Sequence, residues 1–339
     1  MSWFEPLFGF AESSYDETRR RFVVEGSSLR SLVNGRRFGV GTFTTPTLQS
    51  LREGGPAPTP GALQVTHEII GDVLELHARP DNEGALFQVA SQLNCLEFAD
   101  PREVPEDGVT AYADDPTQGP ACALAAAGAT VYRNYFAPVR GEAGQTRDRQ
   151  LDNLDELATV LGEPGEFFDV VNGYTWSDED RLARLTEVLA GHDREALLGA
   201  VKIGLQTDVQ VTFASRFVEP PQPATVSQAF CSALSCGYTR VALSHWEPLA
   251  TLVLDAAYEA TLRIAASLPS RRVWLTFLGG GAFGNRKAWI GQAIGRALAR
   301  LDGVQLDVRI AHHRRHDAEL AQQIARARAE QVRRDQSAP

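Results

Sequence analysis

Apolar and polar positions alternate along much of the chain in short runs, and between these runs lie stretches with apolar residues every three to four positions. Leu63 to Ile70 (LQVTHEII) and Asp72 to Ala78 (DVLELHA) both alternate around Gly71, which predicts a hairpin. Ala85 to Leu93 (ALFQVASQL) reads as a third strand. After a polar loop from Asp100 to Gln118, GPACALAAAGATVYRNYF predicts a helix that starts near Pro120. Residues 141 to 200 are read as mostly helical from LDNLDELATVL and SDEDRLARLTEVLA, with Ser177 and Asp180 placed as a cap. VQVTFASRF and TVSQAFCSAL predict two further strands, and Trp246 to Ala266 a long helix. The last unit is the clearest. RRVWLTFL reads as a strand, GGGAFGN as a tight loop, KAWIGQAIGRALARL as a helix and VQLDVRIA as a strand. Such a βαβ unit belongs to a parallel sheet covered by helices, so the fold class is α/β.

The two ends differ from this pattern. Residues 1–61 mix aromatic pieces with Gly and Pro and close on GGPAPTPG (Gly54 to Gly61), which predicts an N-terminal extension packed on a core of residues 62–311. Residues 312–339 carry Arg314, Arg315, Arg326, Arg328, Arg333 and Arg334 with only Leu320 and Ile324 as an apolar stripe. They are expected to form a solvated basic helix, a partner contact being the alternative.

Composition narrows the classes. A chain of 339 residues, 43% hydrophobic and 22% charged, is an ordinary globular one, and its net charge of −10 argues against a general nucleic-acid binder. Cys95, Cys122, Cys231 and Cys236 are too scattered for a disulfide framework or a metal quartet. His312, His313 and His316 lie among arginines, and no metal and no cofactor is expected. An acidic start without an apolar run, and no stretch near the ~18–20 apolar residues of a membrane span, lead to the expectation of a cytoplasmic protein with no membrane partner.

Chemistry concentrates in three loops. Gly279, Gly280, Gly281, Ala282, Phe283, Gly284 and Asn285 join a strand to a helix, where backbone N–H groups converge on an anion and missing side chains admit a diphosphate. Gly279, Gly281 and Gly284 also match GxGxxG, with Asp302 about where a ribose-binding acid is expected. That fingerprint belongs to the first βαβ unit, and here it comes last. A tight turn without a ligand is the competing reading. Asp115 to Pro120 leads into another helix start, with Gln118, Gly119 and Pro120 as candidate contacts, or as a plain helix start. Gln92, Asn94 and Glu97 follow a strand that should lie centrally, where ligands of open α/β sheets bind; they could equally satisfy nearby backbone. Cys122 at a helix start is a possible nucleophile, against the commoner buried thiol. Trp246 and Tyr174 could stack on a base or simply pack.

Together VASQLNCLE, QGPACALAAAG and LGGGAFGN resemble three elements of the macrodomain superfamily, including its poly(ADP-ribose) glycohydrolase branch. The resemblance runs through residues 63 to 311, with the last loop as the close motif match. It implies a three-layer, macrodomain-like mixed sheet flanked by helices. It further implies ADP-ribose or an ADP-ribosylated substrate as ligand, with Asn94 at the distal ribose, Phe283 as the loop's aromatic residue, and an acid before the Asn strand, placed at Asp81, toward adenine. The first loop departs from the family: it lacks the glycine run, has Ala121 and Cys122 where many hydrolases carry Asp, and has no paired glutamates. The functional expectation is an ADP-ribosyl hydrolase with Glu97 as acid and Asn94 orienting the ribose. The alternatives are a reader that binds without turnover and, third, a dinucleotide-dependent oxidoreductase.

Overall fold

The structure, a computed structural model, describes residues 3–54 and 57–337, so Gly55 and Pro56 of the expected boundary lie outside the described residues. Seven strands build the central sheet: β1 (Thr42–Thr44), β2 (Leu63–Ile70), β3 (Leu86–Ala90), β4 (Gly204–Gln210), β5 (Thr225–Cys231), β6 (Arg272–Leu275) and β7 (Leu306–His313). Their order is β1-β4-β5-β3-β6-β7-β2. The five strands β5, β3, β6, β7 and β2 are parallel, and β4 is antiparallel to both of its neighbours, so the sheet is mixed.

β3 is the central strand, and Leu86, Phe87, Gln88 and Val89 are all buried because helices cover both faces. On one face α1 (Val73–His77), α2 (Gln118–Ala125) and α3 (Ala127–Tyr135) pack Val73, Leu76, Cys122 and Ala126 on Phe87, Val89 and Trp274. On the other, α4 (Leu243–Ser267) and α5 (Lys287–Arg300) cover Leu86, Val273, Leu275, Val308 and Ile310. The result is a three-layer α/β architecture, with the helix-covered sheet expected from the last βαβ unit.

Strands at 22–25, 28–31 and 37–39 form a separate antiparallel sheet, fastened by Phe4, Phe8, Phe22 and Phe38 to the α3 side of the core. The next strand, β1, then enters the main sheet as an edge. This first part of the chain both packs on the sheet and completes it.

Four local expectations are corrected. Residues 73–77 form a helix rather than the second arm of a hairpin. Asp72 accepts the Leu74 amide at 2.9 Å, and Val73, Leu74, Leu76 and His77 share a buried helical face. A five-residue run fits period 2 and period 3.6 almost equally, and the cap decides. β4 starts at Gly204 and ends at Gln210, earlier than VQVTFASRF suggested. The cap of the helix Glu179–Gly191 is Asp178, which accepts the Arg181 amide at 2.8 Å. The basic tail forms α6 (Ala318–Ser337), docked on α5: a Cβ at Gly295 would lie 2.6 Å from that of Ala327, and Leu320 and Ile324 are buried.

Candidate functional site

β2, β3, β6 and β7 end on the same edge of the sheet, and there a cleft of about 890 Å³ opens between α1, α2 and the loop that follows β6. That volume suits a nucleotide-sized ligand. The cleft exists because β6 leaves β3 early: their pairing ends at Trp274↔Phe87. Gln118 fills the split, its Oε1 accepting the Ala90 amide at 2.7 Å and its Nε2 donating to the Gln88 carbonyl at 2.8 Å. Buried Gln88 in turn accepts the Thr276 amide at 3.3 Å through Oε1. The Gln118 side-chain amide thus serves the sheet edge while the residue lines the cleft.

Gly119 sets α2 against this edge. A Cβ there would stand 2.1 Å from the Ala90 carbonyl oxygen, so only glycine lets the helix start this close to β3. Gly119 and Pro120 are buried in the first turn of α2.

The glycine loop has a fixed frame and an open side. The Asn285 amide donates to Gly279 O at 2.9 Å, the Gly284 amide to Gly281 O at 3.0 Å, and Asn285 Nδ2 to Leu234 O at 2.7 Å. Gly279 has φ +70°, and a Cβ there would meet that of Ala233 at 2.4 Å. The amides of Gly279, Gly281, Ala282 and Phe283 have no partner among the described residues. Gly280 and Gly281 line the cleft, and a Cβ at Gly281 would meet nothing within 4 Å. The loop thus joins a strand to a helix, α5 beginning at Lys287, with backbone donors left open between them.

Charge is distributed around the cleft. Asp72, at the end of β2, faces it from one side. Lys287, also at the cleft, pairs with Asp317 at 2.6 Å, which holds the Asp317 carboxyl below its ordinary value. Arg314 lines it too. Its backbone sits at φ 61° with its amide bonded to Ile70 O at 2.9 Å, and its guanidinium has no partner among the described residues.

The other expected residues lie elsewhere. Asp81 is at the amino end of β3, ion-paired with Arg79 and Arg272, on the opposite edge of the sheet; the acids that line the cleft are Asp72, Glu75 and Asp317, with Asp72 at the end of β2. The Gly71-Asp72 turn after β2 was the available signal, hidden by the hairpin reading. Gln92 is spent on backbone: its Nε2 donates to Phe98 O at 2.6 Å and its Oε1 accepts the Phe98 amide at 3.0 Å. Asn94, fully buried, donates to Gln150 Oε1 at 2.8 Å and accepts the Leu96 amide at 3.1 Å. Glu97 is sealed against Arg133 at 3.2 Å with both side chains 0% exposed, and burial outweighs that arginine and pushes its carboxyl up to about 7. Phe283 joins Tyr174 and Tyr238 in an aromatic trio with centroids 5.1 to 5.8 Å apart.

Among the remaining candidates, Cys122 is a fully buried thiol whose pKa burial drives well above the ordinary value, so it is no nucleophile. Trp246 and Tyr174 are core residues. Asp302 lies beyond α5, before the amino end of β7, and pairs with Arg328; it does not attend the glycine loop as a dinucleotide fingerprint would require. No helix among the described residues is long and apolar enough to cross a membrane.

No protein-family model matches the chain, and no curated protein matches it. Among solved structures it is similar to the poly(ADP-ribose) glycohydrolase of Thermomonospora curvata, with 15% identity, 94% of this chain and 96% of that chain covered, and a TM-score of 0.45. The same enzyme bound to the inhibitor ADP-HPD aligns with 15% identity over 92% of this chain and 96% of that one, at a TM-score of 0.42. The Deinococcus radiodurans poly(ADP-ribose) glycohydrolase in complex with ADP-ribose aligns with 13% identity over 86% of this chain and 94% of that one, at 0.44. These alignments run through most of the chain at low identity, with TM-scores below 0.5.

Proposed function

We propose that the cleft binds the adenosine diphosphate portion of ADP-ribose or of an ADP-ribosylated substrate. The observation that carries this reading is the presence of two sets of backbone donors at one cleft: the unpartnered amides of the glycine loop, with Gly281 lining the cleft, and the first turn of α2, with Gln118 lining it. Donors of this kind hold a diphosphate in a protein whose net charge of −10 supplies no general attraction for phosphate. Asp72 is the acceptor for the exocyclic amine of adenine, and Arg314 and Lys287 balance the phosphate charge.

Between recognition and cleavage, the sealing of Glu97 favours recognition. A general acid must come within about 2.6–3.2 Å of the leaving oxygen. The Glu97 carboxyl has no exposed surface, and its Cγ lies 3.1 Å from where a Gly119 Cβ would be, under the first turn of α2. Hydrolysis at the distal ribose, the second reading, requires this turn to lift and expose the carboxyl, which would also relieve the burial that raises its pKa.

Calorimetric titration with ADP-ribose, ADP and ribose 5-phosphate tests the binding reading. ADP-ribose and ADP should bind and ribose 5-phosphate should not; no heat with ADP-ribose would reject it. Release of free ADP-ribose from an ADP-ribosylated protein by the parent chain, abolished in Glu97→Gln with the fold intact, would replace recognition by hydrolysis.

A further inference from the structure

The segment from the end of β7 to the start of α6, His312 to Asp317, has two sides. One lines the cleft through His313, Arg314 and Asp317. The other brings His312 and His316 against His67 of β2, a residue 245 positions earlier that the sequence does not connect with the tail. One ring nitrogen of each of the three histidines lies within 4.8 Å of the others. His312 is buried, His67 half-buried and His316 exposed, so the group is reachable from solvent at one side.

We propose that His67, His312 and His316 bind one divalent transition metal ion of the Zn²⁺ class behind the cleft, with water completing a four-coordinate site. Imidazole is the ligand such ions prefer, and three histidines with an open fourth position form a recognised zinc arrangement. Tetrahedral coordination at about 2.0–2.1 Å sets the nitrogens roughly 3.3 Å apart. The His67 Nδ1 to His312 Nε2 pair, at 2.8 Å, must open by about half an ångström, and the exposed His316 ring must swing inward. Of the arginines that argued against a metal in the sequence, Arg314 belongs to the cleft side of this segment.

Binding carries a structural consequence. The Asp317 amide donates to His312 Nδ1 at 3.0 Å, which places the ring proton on Nε2, shared with His67 Nδ1. An ion at Nε2 requires that proton to pass to Nδ1, with no net proton lost. Asp317 must then turn its amide away and leave Nδ1–H to an oxygen acceptor. The ion would therefore reposition the residue that pairs with Lys287 at the cleft.

The test uses the full, untagged chain stripped with a chelator and titrated with Zn²⁺ against a chromophoric competitor, with Co²⁺ as a spectroscopic substitute. Parent protein and His313→Ala should take up one equivalent with equal affinity, and Co²⁺ should give the intense visible bands of four-coordination. His316→Ala, at an exposed position that leaves folding alone, should bind at least tenfold more weakly. Absence of stoichiometric uptake, equal affinity in His316→Ala, an equal loss in His313→Ala, or a weak six-coordinate Co²⁺ spectrum would each overturn the proposal.

Discussion

Placing a carboxylate at Gly281 isolates the electrostatics of the glycine loop from its folding. A Cβ at this position meets nothing within 4 Å, and the residue is exposed with no positive φ, so Gly281→Ala should melt with the parent protein and bind as it does. Gly281→Glu adds a charge at the end of a longer side chain. With the new carboxylate about 5 Å from a diphosphate oxygen, the repulsion is about 3 kcal/mol at an effective dielectric of 20, and below 1 in bulk water. The loop is open on one side, so about 1–3 kcal/mol is the expected range, a loss of roughly five- to 150-fold in ADP-ribose affinity. The loss should shrink as salt is raised. By contrast Gly279→Ala, where φ is +70° and Ala233 would be met at 2.4 Å, should lower the melting temperature before binding is considered. Calorimetry on melt-matched proteins decides. Unchanged affinity in folded Gly281→Glu, at low salt, would show that the diphosphate does not lie on this loop.

Three other substitutions probe the surroundings. Glu97→Gln leaves Arg133 buried without its counter-charge and should cost about 3 kcal/mol of stability in denaturant titration while ADP-ribose affinity per folded molecule is unchanged. A large affinity loss at full stability would instead put Glu97 in the binding site. Asp72→Asn keeps the cap on Leu74 but turns part of the acceptor into a donor, so the melt should hold while ADP-ribose binding weakens about tenfold and discrimination against hypoxanthine in place of adenine falls. Equal loss for both bases would refute the assignment. His77 is buried neutral, with Nδ1 on Val73 O at 2.8 Å, and its pKa is lowered from 6.5 to about 4. The unfolded chain takes up this proton first, so the stability it contributes is complete above pH 6.5 and is lost as pH falls toward 4, by about 2 kcal/mol at pH 5. His312 acts in the same direction and Glu97 in the opposite one, so the quantity to measure is the pH dependence of the parent minus that of His77→Gln. A flat difference between pH 7.5 and 5 would contradict it.

Where residues repeat with a long period or a rigid punctuation, the chain was readable before its structure. The strand–GGGAFGN–helix–strand unit, the long helix that begins near Trp246 and the central position of β3 all follow from runs long enough to separate period 2 from period 3.6. Short elements were not separable: Val73–His77 became a helix because Asp72 caps it, and that error hid the acid that ends β2 at the cleft. Of the expected ligand set, Gln118, Gly280 and Gly281 line the cleft, whereas Gln92, Asn94 and Glu97 are consumed by protein partners: the nearby Phe98 and the sequence-distant Gln150 and Arg133. Polar residues after a central strand mark either a ligand or a buried network, and only three-dimensional partners distinguish the two. The histidine group is the same lesson in reverse, since His67 joins the tail only through the pairing of β2 with β7.

The central claim is that a diphosphate rests between the Gly279–Asn285 loop and the start of α2, and a crystal structure of the chain with ADP-ribose tests it most directly. The account predicts phosphate oxygens within about 2.7–3.2 Å of the amides of the Gly281–Phe283 stretch, with adenine on the Asp72 side. ADP-ribose density outside this cleft, or a diphosphate held only by side chains away from the loop, would contradict it.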